Sequence, residues 1–326
     1  MTVQLTVIGC NRLGTSVGLA LAGETAQLKR VAHDPNPTLA RAAEKMGAFD
    51  KVTLNLHNAV ADADIVLLAL PLAQAWETLE TIAPTLKEGC LVLDTAPARV
   101  ASLAAAARVL PAGRHFVTFT PTLSPDTLMS PDLDQKAASA ELFKNSQVFL
   151  SGAPGTEGEA IKLAYDLAVL LGARPFFADP YETDGLWAGT HLLPQLTAAA
   201  LVDTATTQPG WSDARRVAGA EFAIASAPLL FMEAEQPADV PWEQRENLTR
   251  LLDDYIASLH DLRKALSAGD PQALGEWLAN AAAARETWLA QRHTSDWDPK
   301  FSQTEIPSSG EMLGRLVGIR PKKKKA

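Results

Sequence analysis

A six-residue turn, Gly9-Cys10-Asn11-Arg12-Leu13-Gly14, follows an apolar run, Val3–Ile8, and opens a small-residue stretch, Thr15–Ala22. Glycines at the two ends of such a turn let the chain bend sharply and let the next helix pack close to the strand. The start of that helix presents backbone N–H groups without helical partners, and these attract a diphosphate. Asn11 stands where the middle glycine of the pattern belongs. It must either crowd the ligand or contact it through its amide, and asparagine tolerates positive φ better than most residues. Arg12 and Leu13 complete the turn. Asp34 lies 20 residues beyond Gly14, at the end of a second β-rich run. A carboxylate there accepts hydrogen bonds from the adenosine ribose hydroxyls, which favours NAD over NADP without excluding NADP. The neighbouring His33 is expected at the surface. The alternative is a bare strand–turn–helix with no ligand, which gives Asp34 no task.

Few other side chains have the type and setting for chemistry. His191 is the best remaining imidazole, on a helical run near the expected domain interface, with Trp187 and Gln195 one turn to either side. It could contact substrate or move a proton, or simply pack as a helix histidine. Arg216, in Asp213-Ala214-Arg215-Arg216, has the planar fork that grips a carboxylate. A surface salt bridge is the alternative, and Arg215 could make one in any case. Thr120 and Thr122 could donate hydrogen bonds to a substrate, although strand threonines also serve packing. Alternation along the same run sends His115 to the opposite face from Thr120, exposed and structural. Gly155-x-x-Gly158-x-x-x-Lys162 is similar to the glycine-then-lysine helix of β-hydroxyacid dehydrogenases but lacks the asparagine after the lysine, so an exposed helix lysine is the better reading. Trp211, Trp242, Trp277 and Trp288 are expected as core or interface anchors. No His, Cys, Asp or Glu set has metal-ligand spacing, and no metal is predicted.

These residues need elements to hold them. Val3–Ile8, Val31–Asp34, Ile65–Leu70, Leu91–Asp94, Phe116–Thr120 and Val148–Leu150 are expected as strands, with helices over Thr38–Met46, Leu72–Leu86 and Val100–Leu110 between them. Near-continuous apolar strands imply burial on both faces, hence a mainly parallel sheet. Right-handed crossovers make it doubly wound. After Asp179-Pro180 the strand signal ends. Residues 181–292 have helical periodicity, and breaks at Gln208-Pro209-Gly210, at Pro237–Pro241 and at Gly269-Asp270-Pro271 delimit about four helices. The expected fold is α/β: a doubly wound parallel-sheet dinucleotide-binding domain over 1–179, then an all-helical domain over 180–293. A loose polar tail is expected over 294–326.

Composition sets the outer bounds. A length of 326 residues suits two domains, and 47% hydrophobic residues is ample for their cores, which excludes general disorder. No stretch approaches the roughly 20 uncharged apolar residues of a membrane helix. No basic region or small-residue cleavage site precedes the first strand, so a secretory signal is not expected. Net charge is −9, from 29 basic and 38 acidic residues, which disfavours nucleic acid as a partner. Lys322–Lys325 reads as a solvated terminal run. The two cysteines, Cys10 and Cys90, are too few for a disulfide framework and are expected as reduced, buried thiols of a cytoplasmic protein.

In order along the chain, several segments resemble the prephenate/arogenate dehydrogenase family. Ala63-Asp64-Ile65-Val66-Leu67-Leu68-Ala69-Leu70-Pro71 resembles its fourth strand and proline-ended loop, and Asp94 its next strand end. Phe116-Val117-Thr118-Phe119-Thr120-Pro121 stands where the family has Phe-Val-Gly-Gly-His-Pro. Thr190-His191-Leu192 resembles a Ser-His-Leu segment, and Asp213-Ala214-Arg215-Arg216 an Asp-x-Thr-Arg element whose arginine binds a substrate carboxylate. Asn247, Gly269-Asp270 and Arg285 continue the pattern, so the likeness runs from residue 3 to about 290. It implies oxidative decarboxylation of prephenate, in tyrosine biosynthesis, with hydride passing to NAD. It also implies cofactor contacts at Gly9, Asn11, Arg12, Leu13, Gly14, Asp34, Leu70, Pro71 and Thr95, an anionic substrate held by Arg216, His191 and Thr122, and a homodimer formed by the helical domain. Three positions depart from the pattern. Thr120 replaces the histidine that takes the ring hydroxyl's proton, and a threonine hydroxyl is no base near neutral pH. Pro97 replaces a serine, and Glu182-Thr183-Asp184 lacks the histidine of a His-Asp pair. The alternatives are a dehydrogenase or reductase on this scaffold with another small anionic substrate, and a catalytically silent dinucleotide-binding protein.

Overall fold

Alternation of apolar side chains builds one sheet with a core on each face. The computed structural model describes residues 2–24, 27–128, 132–153, 155–232 and 237–294. Its strands are β1 (Val3–Ile8), β2 (Leu28–His33), β3 (Lys51–Val52), β4 (Ile65–Leu68), β5 (Leu91–Asp94), β6 (His115–Pro121), β7 (Gln147–Gly152) and β8 (Arg174–Phe177). They lie in the order β3-β2-β1-β4-β5-β6-β7-β8. Every pair is parallel except β6 with β7. The intervening helices are α1 (Arg12–Ala20), α2 (Pro37–Lys45), α3 (Leu56–Val60), α4 (Leu72–Ile82), α5 (Arg99–Val109) and α6 (Gly158–Leu170). Leu5, Val7, Ile65, Leu67, Leu91 and Leu93 face a core closed by α1, α2 and α6. Ile8, Val66, Leu68 and Val92 face the other, under α3, α4 and α5. Each such buried aliphatic side chain contributes about 1.5–3 kcal/mol, so the alternation pins the register of every strand.

The expected α/β architecture is thus present, with differences at the edges. Strand β2 starts earlier, at Leu28, and stops at His33, which leaves Asp34 in the following turn. Strand β3 is a two-residue pairing with β2, too short to mark a sequence. His33 is not at the surface: it is 7% exposed, and its Nδ1 lies 3.0 Å from the Thr53 carbonyl oxygen. His115 is half-buried rather than exposed, with Nε2 3.8 Å from Glu157.

The chain divides into two compact units, the first holding residues up to Asp184 and the second beginning at Gly185. From Pro180 the described residues form α7 (Pro180–Trp187), α8 (Leu193–Thr206), α9 (Trp211–Val217), α10 (Ala220–Ser226), α11 (Asp239–Glu243), α12 (Arg245–Ala268) and α13 (Pro271–Thr294). Helix α11 groups with the first unit. Seven helices replace the four expected, because Gly219 separates α9 from α10 and Pro241 sits inside the short α11. A π-helical turn, Ala188–Leu192, follows α7. Gly269 stops α12 in the left-handed conformation, φ +64°. The expected tail from 295 onward, with Lys322–Lys325, lies outside the described residues. No described helix is long and apolar enough to cross a membrane.

Candidate dinucleotide site

The turn after β1 is shaped by backbone contact with the chain leaving β4, the strand beside it where the sheet order reverses. Open parallel sheets bind ligands at that reversal. Gly9 adopts φ +101°, and a Cβ there would overlap the Ala69 carbonyl. A Cβ on Gly14 would overlap the Gly9 carbonyl. Gly18, one turn further along α1, would bring a Cβ to 2.8 Å from the Phe49 ring. Helix and strand therefore approach as closely as glycine allows.

Asn11 is the N-cap of α1. Its φ of −69° and ψ of −174° are ordinary extended backbone, so the positive φ that asparagine tolerates is not used. Its Oδ1 accepts from the Gly14 N–H at 3.0 Å, and its Nδ2 donates to the Ala69 carbonyl at 2.9 Å. The side chain that replaces the middle glycine thus closes the turn against β4. Among the described residues nothing accepts from the amides of Arg12 and Leu13. Arg12 itself is 8% exposed, and its buried Nε has no hydrogen-bond partner among the described residues. Two open amides and a buried cation with no anion beside it among the described residues fit a diphosphate.

Asp34 is buried, and both carboxylate oxygens are anchored. Oδ2 accepts from the Cys10 N–H at 2.6 Å and Oδ1 from the Asn36 N–H at 2.7 Å. Each oxygen keeps a further lone pair for a ribose hydroxyl. Sequence reasoning missed Gln135, in the long connection between β6 and β7. Its Nε2 donates to the Cys10 carbonyl at 2.6 Å and the Leu39 carbonyl at 2.8 Å, and lies 3.3 Å from Thr15 Oγ1. No periodicity marks such a residue.

Beyond β4 and β5, Leu70 lies against Gly9, Pro71 starts α4, and Thr95 donates its hydroxyl to the Leu68 carbonyl at 2.9 Å. A buried polar cluster lies under α5. Asp94 is 1% exposed, accepts from the Ala96 N–H at 3.0 Å, and has its carboxyl pushed up by burial, against hydrogen bonds from Ser102 and Ala96 and the Arg99 charge. Asp184 accepts from Arg99 Nη1 at 3.1 Å and from the Arg99 and Val100 amides at 3.0 Å each. It therefore caps α5 and pairs with a buried guanidinium at once. Thr120 is 2% exposed and its Oγ1 has no partner among the described residues. Thr122 has its hydroxyl taken up by Gln147, donating to the carbonyl at 3.1 Å and accepting from the N–H at 3.0 Å.

Residues 17–176 match the family described as prephenate dehydrogenase, nucleotide-binding domain. Over these residues the chain is similar to the nucleotide-binding domain of the prephenate dehydrogenases. It is 26% identical over 300 residues to cyclohexadienyl dehydrogenase of Zymomonas mobilis, covering 87% of this chain and 96% of that protein. To prephenate dehydrogenase of Bacillus subtilis it is 23% identical over 293 residues, covering 88% of this chain and 76% of that one. The fold is similar to that of A. aeolicus prephenate dehydrogenase solved with hydroxyphenyl propionate and NAD+, at TM-score 0.76 and 20% identity over 88% of this chain and 98% of that one. Synechocystis arogenate dehydrogenase gives TM-score 0.69 and 19% identity, covering 87% and 99%.

Other sequence candidates sit in the helical unit. His191 is exposed in the π-helical turn and stacked on Trp187, with ring centroids 3.7 Å apart and planes 5° apart. Its Nδ1 lies 2.9 Å from Thr190 Oγ1. Arg216 is exposed and 3.9 Å from Asp213, while Arg215 bonds the Ser212 carbonyl, so the surface ion pair belongs to Arg216. Trp277 and Trp288 are 39% and 48% exposed and Trp242 in α11 is 65% exposed, which excludes a core role in this chain alone; Trp211 packs on Phe222. Lys162 is exposed, as expected.

Cys10 and Cys90 are free and buried, and burial pushes both thiols up to about 12, Asp34 adding to the rise at Cys10. Only the thiolate is nucleophilic. At pH 8 iodoacetamide is expected to leave both unmodified in the folded chain and to alkylate both after denaturation. One adduct on the folded protein, counted by mass spectrometry, contradicts this.

Proposed function

We propose that this chain is an NAD+-dependent dehydrogenase of a small anionic cyclohexadienyl substrate, with prephenate as first choice. The observation that carries the reading is the turn at the sheet reversal, where two open amides and buried Arg12 stand beside anchored Asp34. Its named relatives support the substrate class. The chain's groups divide the work. Gly9 and Gly14 let backbone approach a diphosphate, which Arg12 and the amides of Arg12 and Leu13 neutralise. Asn11 braces the turn, and Asp34 accepts from ribose hydroxyls. Leu70, Pro71 and Thr95 line the cofactor. In the helical unit, Arg216 grips a substrate carboxylate and His191 orients the substrate. When bound, NAD+ supplies the hydride acceptor. With prephenate, loss of the ring carboxylate as CO2 restores aromaticity, giving 4-hydroxyphenylpyruvate. Thr120 donates its buried hydroxyl to hold the ring oxygen, and water takes the ring hydroxyl's proton as hydride leaves, which a threonine cannot do, and returns it to the phenolate that loss of CO2 leaves.

Purified protein with NAD+ and prephenate is expected to form NADH and 4-hydroxyphenylpyruvate, and Thr120→His to raise the rate. NAD+ binding without turnover favours a second reading, in which the scaffold serves another small anionic substrate. The hydroxyl of Thr120 at the buried end of β6 is what favours that reading. Absence of dinucleotide binding by calorimetry removes both. Two buried free thiols suit the reducing cytoplasm.

A homodimer formed by the helical unit belongs to the same proposal. Among its described residues only Ala188, Leu192, Ala198 and Leu248 are buried apolar side chains. Val217, Ile224, Leu230, Leu266 and Leu278 are each more than half exposed. So much uncovered apolar surface calls for a partner. Light scattering is expected to give twice the 34.8 kDa chain mass. A monomer at micromolar concentration contradicts it.

A further inference from the structure

We propose that Gln135 is a positioning residue for the dinucleotide, a clasp that sets the distance between the diphosphate-binding turn and the ribose-binding turn. The proposal rests on the dinucleotide reading above. Gln135 belongs to neither turn and reaches both from the connection between β6 and β7. Its one amide nitrogen donates to the Cys10 carbonyl, in the turn before α1, and to the Leu39 carbonyl, in the first turn of α2 after Asp34. Cys10 is then held by both backbone groups, its N–H on Asp34 and its carbonyl on Gln135. The same connection makes a second tether, where the Ser139 N–H donates to Ser16 Oγ at 3.0 Å and Ser16 Oγ in turn donates to the Arg12 carbonyl. Gln135 is 8% exposed, so water cannot replace its bonds cheaply.

The neighbours explain why the residue is an amide. Both principal partners are carbonyl oxygens, so the site needs two N–H donors on one atom. Glutamate has the same shape and offers only acceptors, which would repel Cys10 and Leu39. Alanine removes the bonds without that repulsion. The adenosine diphosphate half of a dinucleotide must meet both turns at once, so an error in their separation weakens its binding and leaves the reacting end alone.

The test measures Gln135→Ala and Gln135→Glu in the full chain. Calorimetric dissociation constants for NAD+ and for ADP-ribose are expected to rise together, about tenfold for alanine and further for glutamate. The kinetic effect should fall on KM for NAD+ and not on kcat. In the ligand-free chain, amide hydrogen exchange is expected to quicken at residues 13–16 and 39–41 while β4 and β5 keep wild-type rates. Unchanged ADP-ribose affinity overturns the proposal. So does exchange that quickens across the whole sheet, because Gln135 would then serve the fold in general. Failure of the wild-type chain to bind NAD+ defeats the dinucleotide reading instead, and the exchange arm alone then decides whether Gln135 fixes the two turns.

Discussion

Asp184→Ala is expected to lower the stability of the first unit by about 3–5 kcal/mol, read from the midpoint of chemical denaturation. The carboxylate accepts three hydrogen bonds, two from backbone amides that open α5 and one from the guanidinium of Arg99. Arg99 is wholly buried and the Asp184 side chain is 6% exposed, so solvent cannot take over. Removing the acid takes its closest carboxylate from a buried guanidinium and the acceptor from two helix-start amides at once. Asp184→Asn keeps an acceptor for the amides and loses the charge, so its loss should be intermediate. The surface pair Lys87–Asp64, both side chains more than a third exposed, is the control: its removal should change stability by about 1 kcal/mol or less. An Asp184→Ala chain as stable as that control would show that the pair contributes nothing to the fold.

Gly14→Ala is expected to weaken NAD+ binding by about 100-fold, the effect of a kilocalorie-scale overpacking transmitted to the binding turn. The added methyl would meet the Gly9 carbonyl, and Gly9 is itself pressed on the Ala69 carbonyl. Backbone lies on both sides, so relief requires the turn to open and the amides of Arg12 and Leu13 to move. Gly23, where nothing lies within 4 Å of an added Cβ, is the matched control for losing a glycine. Binding by Gly14→Ala as tight as by Gly23→Ala would mean that the turn does not hold the cofactor.

The elements of the sheet were legible because burial on two faces leaves a mark on the chain. Val3–Ile8 and Leu91–Asp94 are strands with the bounds their apolar runs suggest. The helical half was less legible. Its breaks at Gln208-Pro209-Gly210 and Gly269-Asp270-Pro271 are real, but α9 and α10 are separated at Ala218-Gly219, where no proline or turn cluster announces it. Of its tryptophans, expected as core or interface anchors, Trp242, Trp277 and Trp288 are not core, and the residues alone could not say so, because a hydrophobic side chain looks the same whether it is covered by its own chain or left exposed. His33 erred in the other direction, its imidazole drawn under Thr53 by a strand pairing of two residues.

Local chemistry is what the residues alone determined: a glycine-bounded turn after an apolar strand, an acid at the end of the next one, and an alternation that makes a doubly wound sheet. These depend on neighbours a few positions apart, whose spacing sets backbone conformation and facing directly. Tertiary structure alone decided that Asn11 braces the turn against Ala69, that Asp184 caps α5 from 85 residues away, and that Gln135 reaches back to Cys10. Each is a single hydrogen-bonding group meeting a distant backbone atom. Such a meeting needs no repeating pattern in the chain and exists only once the sheet has brought the two segments together.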